Sequence, residues 1–264
     1  MVFLNSIDIQ NIKNKIEQYA DNSFLKQYLD KPFVAEDKIL FLKTILEHAE
    51  VDEEKKETYI LATMLMQMAL DTHDLVSISR SSATNNHHNK KKQLNILVGD
   101  LFSGLFYELL ANIKDVQVIN ILAGSVKEVN EHKMIIYHNE INSINHLLDE
   151  LKQIESLLIK RVSEFVGVKQ LDSIMENWFL MKRLVHEKNL YSKKQQSFIV
   201  SILSQHDTEH HVIRMIENMI PRIAYKLESY INELPTNQFE GIKTSLINEL
   251  KKLSLEREII LEEG

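Results

Sequence analysis

The chain has 264 residues and a net charge of −7, from 31 Lys and Arg against 38 Asp and Glu. That balance excludes the basic footprint of a general nucleic-acid binder, so no nucleic acid is expected as a partner. With no cysteine, disulfides and thiolate metal sites are excluded too, which suits a reducing compartment.

Six Gly, three Pro and a hydrophobic fraction of 44% leave few helix breakers in a chain rich in Leu, Ile, Lys and Glu. The expected fold is all-α, a single helical-bundle domain over residues 1–264. Met1, Val2, Phe3 and Leu4 are followed at once by polar residues, without the basic leader and long apolar core of a signal peptide. No uninterrupted apolar run reaches the roughly 18 residues of a membrane span. A soluble, cytoplasmic protein is expected.

In chain order, Ile9, Ile12, Ile16 and Tyr19 mark a first amphipathic helix. Phe24, Leu25, Tyr28 and Leu29 mark a short second one that ends at Lys31 and Pro32, because a residue before proline disfavours the helical region. Ile39, Leu42, Ile45, Leu46 and Ala49 give the next. Asp52 is placed to cap a long helix whose first turn carries Glu53 and Glu54.

That long helix, residues 58 to 76, and the segment 93 to 111 organise the chain. In the first, Leu61, Met64, Leu65, Met68, Ala69, Thr72, Leu75 and Val76 recur at helical spacing, while Ile60, Met66 and Leu70 occupy the opposite side. A helix apolar all round is buried all round, so it is expected to run through the middle of a bundle. The second segment has the same character, and its Gly99, Ser103 and Gly104 would let a neighbouring helix approach closely. Asp71, His73, Asp74 and Asp100 interrupt these apolar runs; a buried charge must be paired, here with one another or with Gln67 and Thr72. Between the two segments, residues 77–92 are polar and read as a mobile loop.

Further on, Val116, Ile119, Leu122, Val126 and Val129 form an apolar stripe. Ile144, Leu147, Leu151, Ile154, Leu158 and Phe165 make a 3-4 seam interrupted by Arg161, and Gly167 is a candidate helix stop. Leu171, Ile174, Met175, Trp178, Phe179 and Val185 mark another helix, and Ser192 with Gln195 fits a capping box opening the next. His206 and His210, one turn apart, have a spacing that can chelate a metal, but no glutamate base stands between them and Asp207 serves equally well as an N-cap. A helix kinked or restarted near Pro221 follows, and Thr236 opens the last one.

His73 with Asp74, and Gly99 with Asp100, resemble the start of the first aspartate-rich signature and the later Gly-Asp pair of trans-prenyl diphosphate synthases, which have the all-α isoprenoid synthase fold. In catalytic members that signature holds Mg²⁺ against an allylic diphosphate. Here Leu75 replaces its second aspartate, and Ser77, Ile78 and Ser79 occupy the place of its last. Mg²⁺ takes a near-octahedral set of hard oxygens, which one carboxylate cannot supply. The expected second aspartate-rich motif, near residues 186–211, is represented by Asp207 alone. The broken pattern itself, in Met66 to His73, Gln93 and Leu94, Gly99 to Tyr107 and Val129 to Met134, resembles component 1 of two-component heptaprenyl diphosphate synthases, over roughly residues 35–140.

The resemblance implies a non-catalytic subunit with a degenerate motif at His73, Asp74 and Asp100, no catalytic residue, and no cofactor or metal of its own. Mg²⁺ and the diphosphates would sit in a catalytic large subunit, in a heterodimer that makes the menaquinone side chain. Family dimers meet through the helices after the first motif, here residues 93–137, so Phe102, Leu105, Phe106 and Leu109 are expected at or near the contact. Alone, such an apolar face would favour self-association. Arg80 and Lys90 to Lys92 are either remnants of a diphosphate grip or a solvated basic run. Two other readings stay open: a divergent prenyltransferase active alone, and a helical scaffold unrelated to isoprenoids.

Overall fold

The computed structural model describes residues 8–20, 34–78, 86–138, 140–195, 197–204, 207–235 and 238–262. Among them lie ten helices and no strand: α1 (Ile9–Ala20), α2 (Glu36–Glu47), α3 (Glu53–Ile78), α4 (Asn86–Asn112), α5 (Val116–Tyr137), α6 (Ile144–Val166), α7 (Asp172–Ser192), α8 (Phe198–Leu203), α9 (Glu209–Glu233) and α10 (Glu240–Glu262). The short helix expected around Phe24 to Leu29 falls outside the described residues. Helix occupies both ends of the stretch expected as a loop, since α3 runs to Ile78 and α4 starts at Asn86; residues 79–85, with Arg80, are outside the described set.

The chain divides into two compact units, Met1–Asn130 with Leu157–Lys169, and Glu131–Ser156 with Gln170–Gly264. In the first, α3 is the axis against which α1, α2 and α4 pack. Every residue from 59 to 70 is buried, as the apolar circumference requires. Its first turn carries Glu53 and Glu54, and the Asp52 carbonyl accepts from the amides of Lys55 and Lys56. Tyr59, 2% exposed, donates its hydroxyl to Asp115 Oδ2 at 2.6 Å. Burial first, then that hydrogen bond, raises the phenol above its ordinary range. The other oxygen of Asp115 accepts from Val118 N at 3.2 Å, so one carboxylate satisfies an orphan donor at the start of α5 and ties it to α3.

In α6, Leu147, Leu151 and Leu158 of the seam are buried, and Arg161 leaves it to bind Glu128 at 2.5 Å and Glu164 at 2.6 Å. Gly167 takes φ +78, the Val168 amide returns to the Ser163 carbonyl at 3.0 Å, and the helix stops where expected.

The second unit has its own core, with Leu180, Leu184, Ile199, Val200, Val212 and Ile216 packed together. Beside them Glu187 is 1% exposed yet fully engaged. It accepts from Arg183 Nε at 2.8 Å, Ser197 Oγ at 2.6 Å and Ile199 N at 3.2 Å, while Arg183 also reaches Glu155 at 2.9 Å. Burial works against the Arg183 charge, but the attraction of Glu155 and Glu187 outweighs it and holds the guanidinium above its usual range. The expected capping box at Ser192 is not formed. Ser192 ends α7, and the cap of α8 is Ser197, whose hydroxyl accepts from Val200 N at 3.3 Å. Thr208, rather than Asp207, caps α9, and Pro221 lies inside that helix. His206 is outside the described residues; His210 is exposed, and Asp207 pairs with His211.

Candidate functional site

The residues singled out in the sequence meet where α3 leaves the core. Gln67 donates to Asp71 Oδ1 at 2.8 Å, and Thr72 returns its hydroxyl to the Met68 carbonyl at 2.6 Å. The next residue, His73, lies with its ring against Gly99 of α4 and 3.7 Å from Asp100 Oδ1. Gly99 has a specific reason to be glycine: a Cβ there would stand 2.5 Å from two atoms of the His73 ring. The close helix approach expected from small residues therefore occurs at Gly99. At Gly104 the same Cβ would meet nothing within 4 Å.

The polar residues are not buried as their apolar neighbours suggested. Asp71 is exposed, and the His73 and Asp100 side chains are 40% and 66% exposed, so solvent reduces what pairing must offset. Leu75, standing where the family signature has its second carboxylate, is 55% exposed. No demand of the chain's own core holds a leucine there.

The donor set does not fit Mg²⁺. Asp74 and Asp100 come from different helices, Asp71 is tied to Gln67, and the next candidate position is an alkyl side chain. Among the described residues no three His, Asp or Glu side chains gather as a metal-binding group. A hard cation that requires about six oxygens would find mostly water here.

The four residues expected at a subunit contact separate into two pairs. Phe102 and Phe106 are 1% and 0% exposed, so they pack in the chain's own core. Leu105 and Leu109 are half-buried. The reason is the register of α4: Leu94, Val98, Phe102, Phe106 and Leu110, four residues apart, line the inward face. The opposite face is also apolar. Ile96, Leu97, Leu101 and Tyr107 are 43%, 61%, 40% and 46% exposed, interspersed with Asp100 and Glu108. The expectation that α4 would be buried all round fails on this face. The stretch Lys92–Asn112 is long and apolar enough to cross a membrane by length and composition only, because two apolar faces are counted together. Past α4, Val116 is 64% exposed, and Met134 and Tyr137 on α5 are 48% and 44% exposed. Lys90 is exposed at the first turns of α4, and Lys92 is half-buried.

Leu97 and Leu101 were missed as surface candidates. The signal was present in the second apolar stripe of the segment, offset from the one that packs inward.

The family described as "Heptaprenyl diphosphate synthase (HEPPP synthase) subunit 1" matches residues 22–236. Component 1 of the heptaprenyl diphosphate synthase of Geobacillus stearothermophilus is 32% identical over 161 residues, 61% of this chain and 70% of that protein. Among solved structures, the heptaprenyl diphosphate synthase of Staphylococcus aureus aligns with a TM-score of 0.61 at 16% identity, covering 94% of this chain and 98% of that one. The decaprenyl diphosphate synthase of Rhodobacter capsulatus aligns with a TM-score of 0.62 at 11% identity, over 92% and 94%. At those identities the likeness is one of fold, the all-α isoprenoid synthase fold. The chain belongs to the heptaprenyl diphosphate synthase subunit 1 family.

Proposed function

We propose that this chain is the non-catalytic subunit of a heterodimeric heptaprenyl diphosphate synthase, and that the outward face of α4 is where the catalytic subunit docks. The observation that carries the reading is a contrast within one region. The metal-binding constellation has lost its acids, while the helix beside it keeps an apolar surface that its own chain does not cover. An apolar patch of this kind is costly in water and marks an interaction site. Leu97 and Leu101 are its centre, with Leu105 and Leu109 at the margin of the core.

In this reading Mg²⁺ and the diphosphate substrates belong to the partner, which joins isopentenyl units to an allylic diphosphate. The residues of this chain act by packing. They exclude water from the shared interface and lend an apolar wall to the product tunnel. Each added unit brings five carbons of apolar surface, so a lengthening product gains affinity until the wall stops it. The side chain so made serves menaquinone synthesis in the cytoplasm. Without its partner the chain self-associates through the same face.

The test is co-expression with the catalytic subunit, followed by sizing and prenyl-transfer assays on each chain and on the mixture. The Leu97→Glu, Leu101→Glu double variant should remain helical and lose pairing by at least about a hundredfold, because two central apolar contacts become desolvated charges. Undiminished pairing, with the same product spectrum, would remove α4 from the interface. Mg²⁺-dependent turnover by the purified chain alone would overturn the non-catalytic role.

A further inference from the structure

On the outward face of α9 lies a groove of about 320 Å³ lined by His211, Arg214, Met215, Asn218, Met219 and Arg222. Arg214, Asn218 and Arg222 follow one another at four-residue spacing and so share one face of the helix. The two arginines start about 12 Å apart along the axis and can incline toward each other over Asn218. Four arginines have described side chains. Arg161 binds Glu128 and Glu164, and Arg183 binds Glu155 and Glu187. Among the described residues Arg214 and Arg222 bind no carboxylate, although the chain carries 38 acids and a net charge of −7. Of the acids close by on the chain, Glu217 pairs with Lys188 at 3.6 Å, and Asp207 pairs with His211 at one end of the same groove. Alongside the exposed arginines in the lining, Met215 and Met219 are half-buried, and Met219 packs on the unit's core, so the groove has an apolar floor under a cationic rim.

We infer that this groove binds a phosphate-bearing ligand with an apolar tail. Arg214 and Arg222 grip the phosphate oxygens across Asn218, and Met215 and Met219 receive the first carbons of the tail. The planar guanidinium fork matches phosphate in a way an ammonium does not, and two forks converging on one group suit phosphate. The adaptable thioethers accept an alkyl chain without a fixed shape. The volume is at the low end for small-molecule sites, enough for a headgroup and the root of its tail. The inference does not depend on whether the chain pairs with a catalytic subunit, because α9 and its groove belong to the second unit and α4 to the first.

The full chain is titrated with inorganic diphosphate by calorimetry and co-sedimented with phosphatidylglycerol and with phosphatidylcholine vesicles. The expected result is salt-sensitive binding to diphosphate or to the phosphatidylglycerol vesicles, weakened at least about tenfold in the Arg214→Gln, Arg222→Gln double variant. Diphosphate binding without vesicle retention assigns the phosphate to a soluble ligand, and vesicle retention assigns it to a lipid headgroup; either supports the site. Met215→Gln should weaken vesicle retention and leave inorganic diphosphate affinity unchanged. The exposed Lys251→Gln, Lys252→Gln variant on α10 should bind as the parent does. Absence of binding to both probes, an unchanged double variant, or an equal loss in the lysine control would overturn the proposal.

Discussion

Helices α3 and α4 are close in composition and opposite in circumstance. Both are long, both carry apolar residues around most of their circumference, and they pack on each other. Yet from residue 59 to residue 70 every residue of α3 is buried, whereas α4 buries one apolar face and leaves the other half-open. Because α1, α2 and α4 all pack against α3, its apolar circumference is explained by this chain alone. The outer face of α4 is not. The lesson is that an apolar residue has a reason, and where the chain does not supply one the surroundings must.

The largest test of that contrast is an alanine scan read by urea unfolding of the isolated chain at low concentration. Leu65→Ala on α3 and Phe106→Ala on the inner face of α4 each delete a fully buried side chain and should cost about 2–5 kcal/mol. Leu97→Ala, at a position 61% exposed, should change stability by no more than about 0.5 kcal/mol. A large loss at Leu97 would mean that its own chain covers it, and the distinction between the two helices would disappear.

A smaller effect probes the contact that joins them. Gly99→Ala places a methyl group 2.5 Å from the His73 ring, which must swing away toward solvent. Because that ring is the mobile end of a partly exposed side chain, the cost should sit near the low end for overpacking, about 1 kcal/mol. His73→Ala should abolish it. A double-mutant cycle measures the coupling directly; additive effects would mean the helices separate rather than the ring moving.

How much of this could be read beforehand follows the same division. The course of α3 was legible because an all-round apolar helix has one environment open to it. The stop at Gly167 was legible because a left-handed turn selects glycine. The placement of Phe102 and Phe106 was not. A segment with two apolar stripes does not reveal which one its own chain covers, and the larger aromatic side chains went inward. The cap of α8 was misplaced because two serines five residues apart both fit a cap, and only Ser197 is within reach of Val200 N and Glu187. Glu187 itself gave no sign of burial beyond Arg183 one turn before it. At the degenerate motif the missing acids were plain in the residue order, but the openness of His73 and Asp100 was not, since it depends on where α4 leaves α3 uncovered.

The smallest expected effect separates what the isolated chain needs from what a partner needs. Gly104 is exposed on the outer side of α4, in the middle of a helix, and beyond its chain neighbours and the adjacent backbone of its own helix no atom lies within 4 Å of where a Cβ would be. Glycine inside a helix costs about 0.5–1 kcal/mol relative to alanine. Unlike Gly99, it receives no internal contact in return. Gly104→Ala should therefore stabilise the isolated chain by about 0.5–1 kcal/mol, measured as a rise in the urea midpoint at unchanged slope. If the catalytic subunit presses a helix onto this face beside Leu101 and Leu105, the same methyl group obstructs the closest approach, and pairing should weaken while stability rises. Opposite signs in the two assays would place the partner's backbone against Gly104. A gain in stability with unchanged affinity would instead move the contact along α4 toward Leu97, where no small residue limits how near another helix can come.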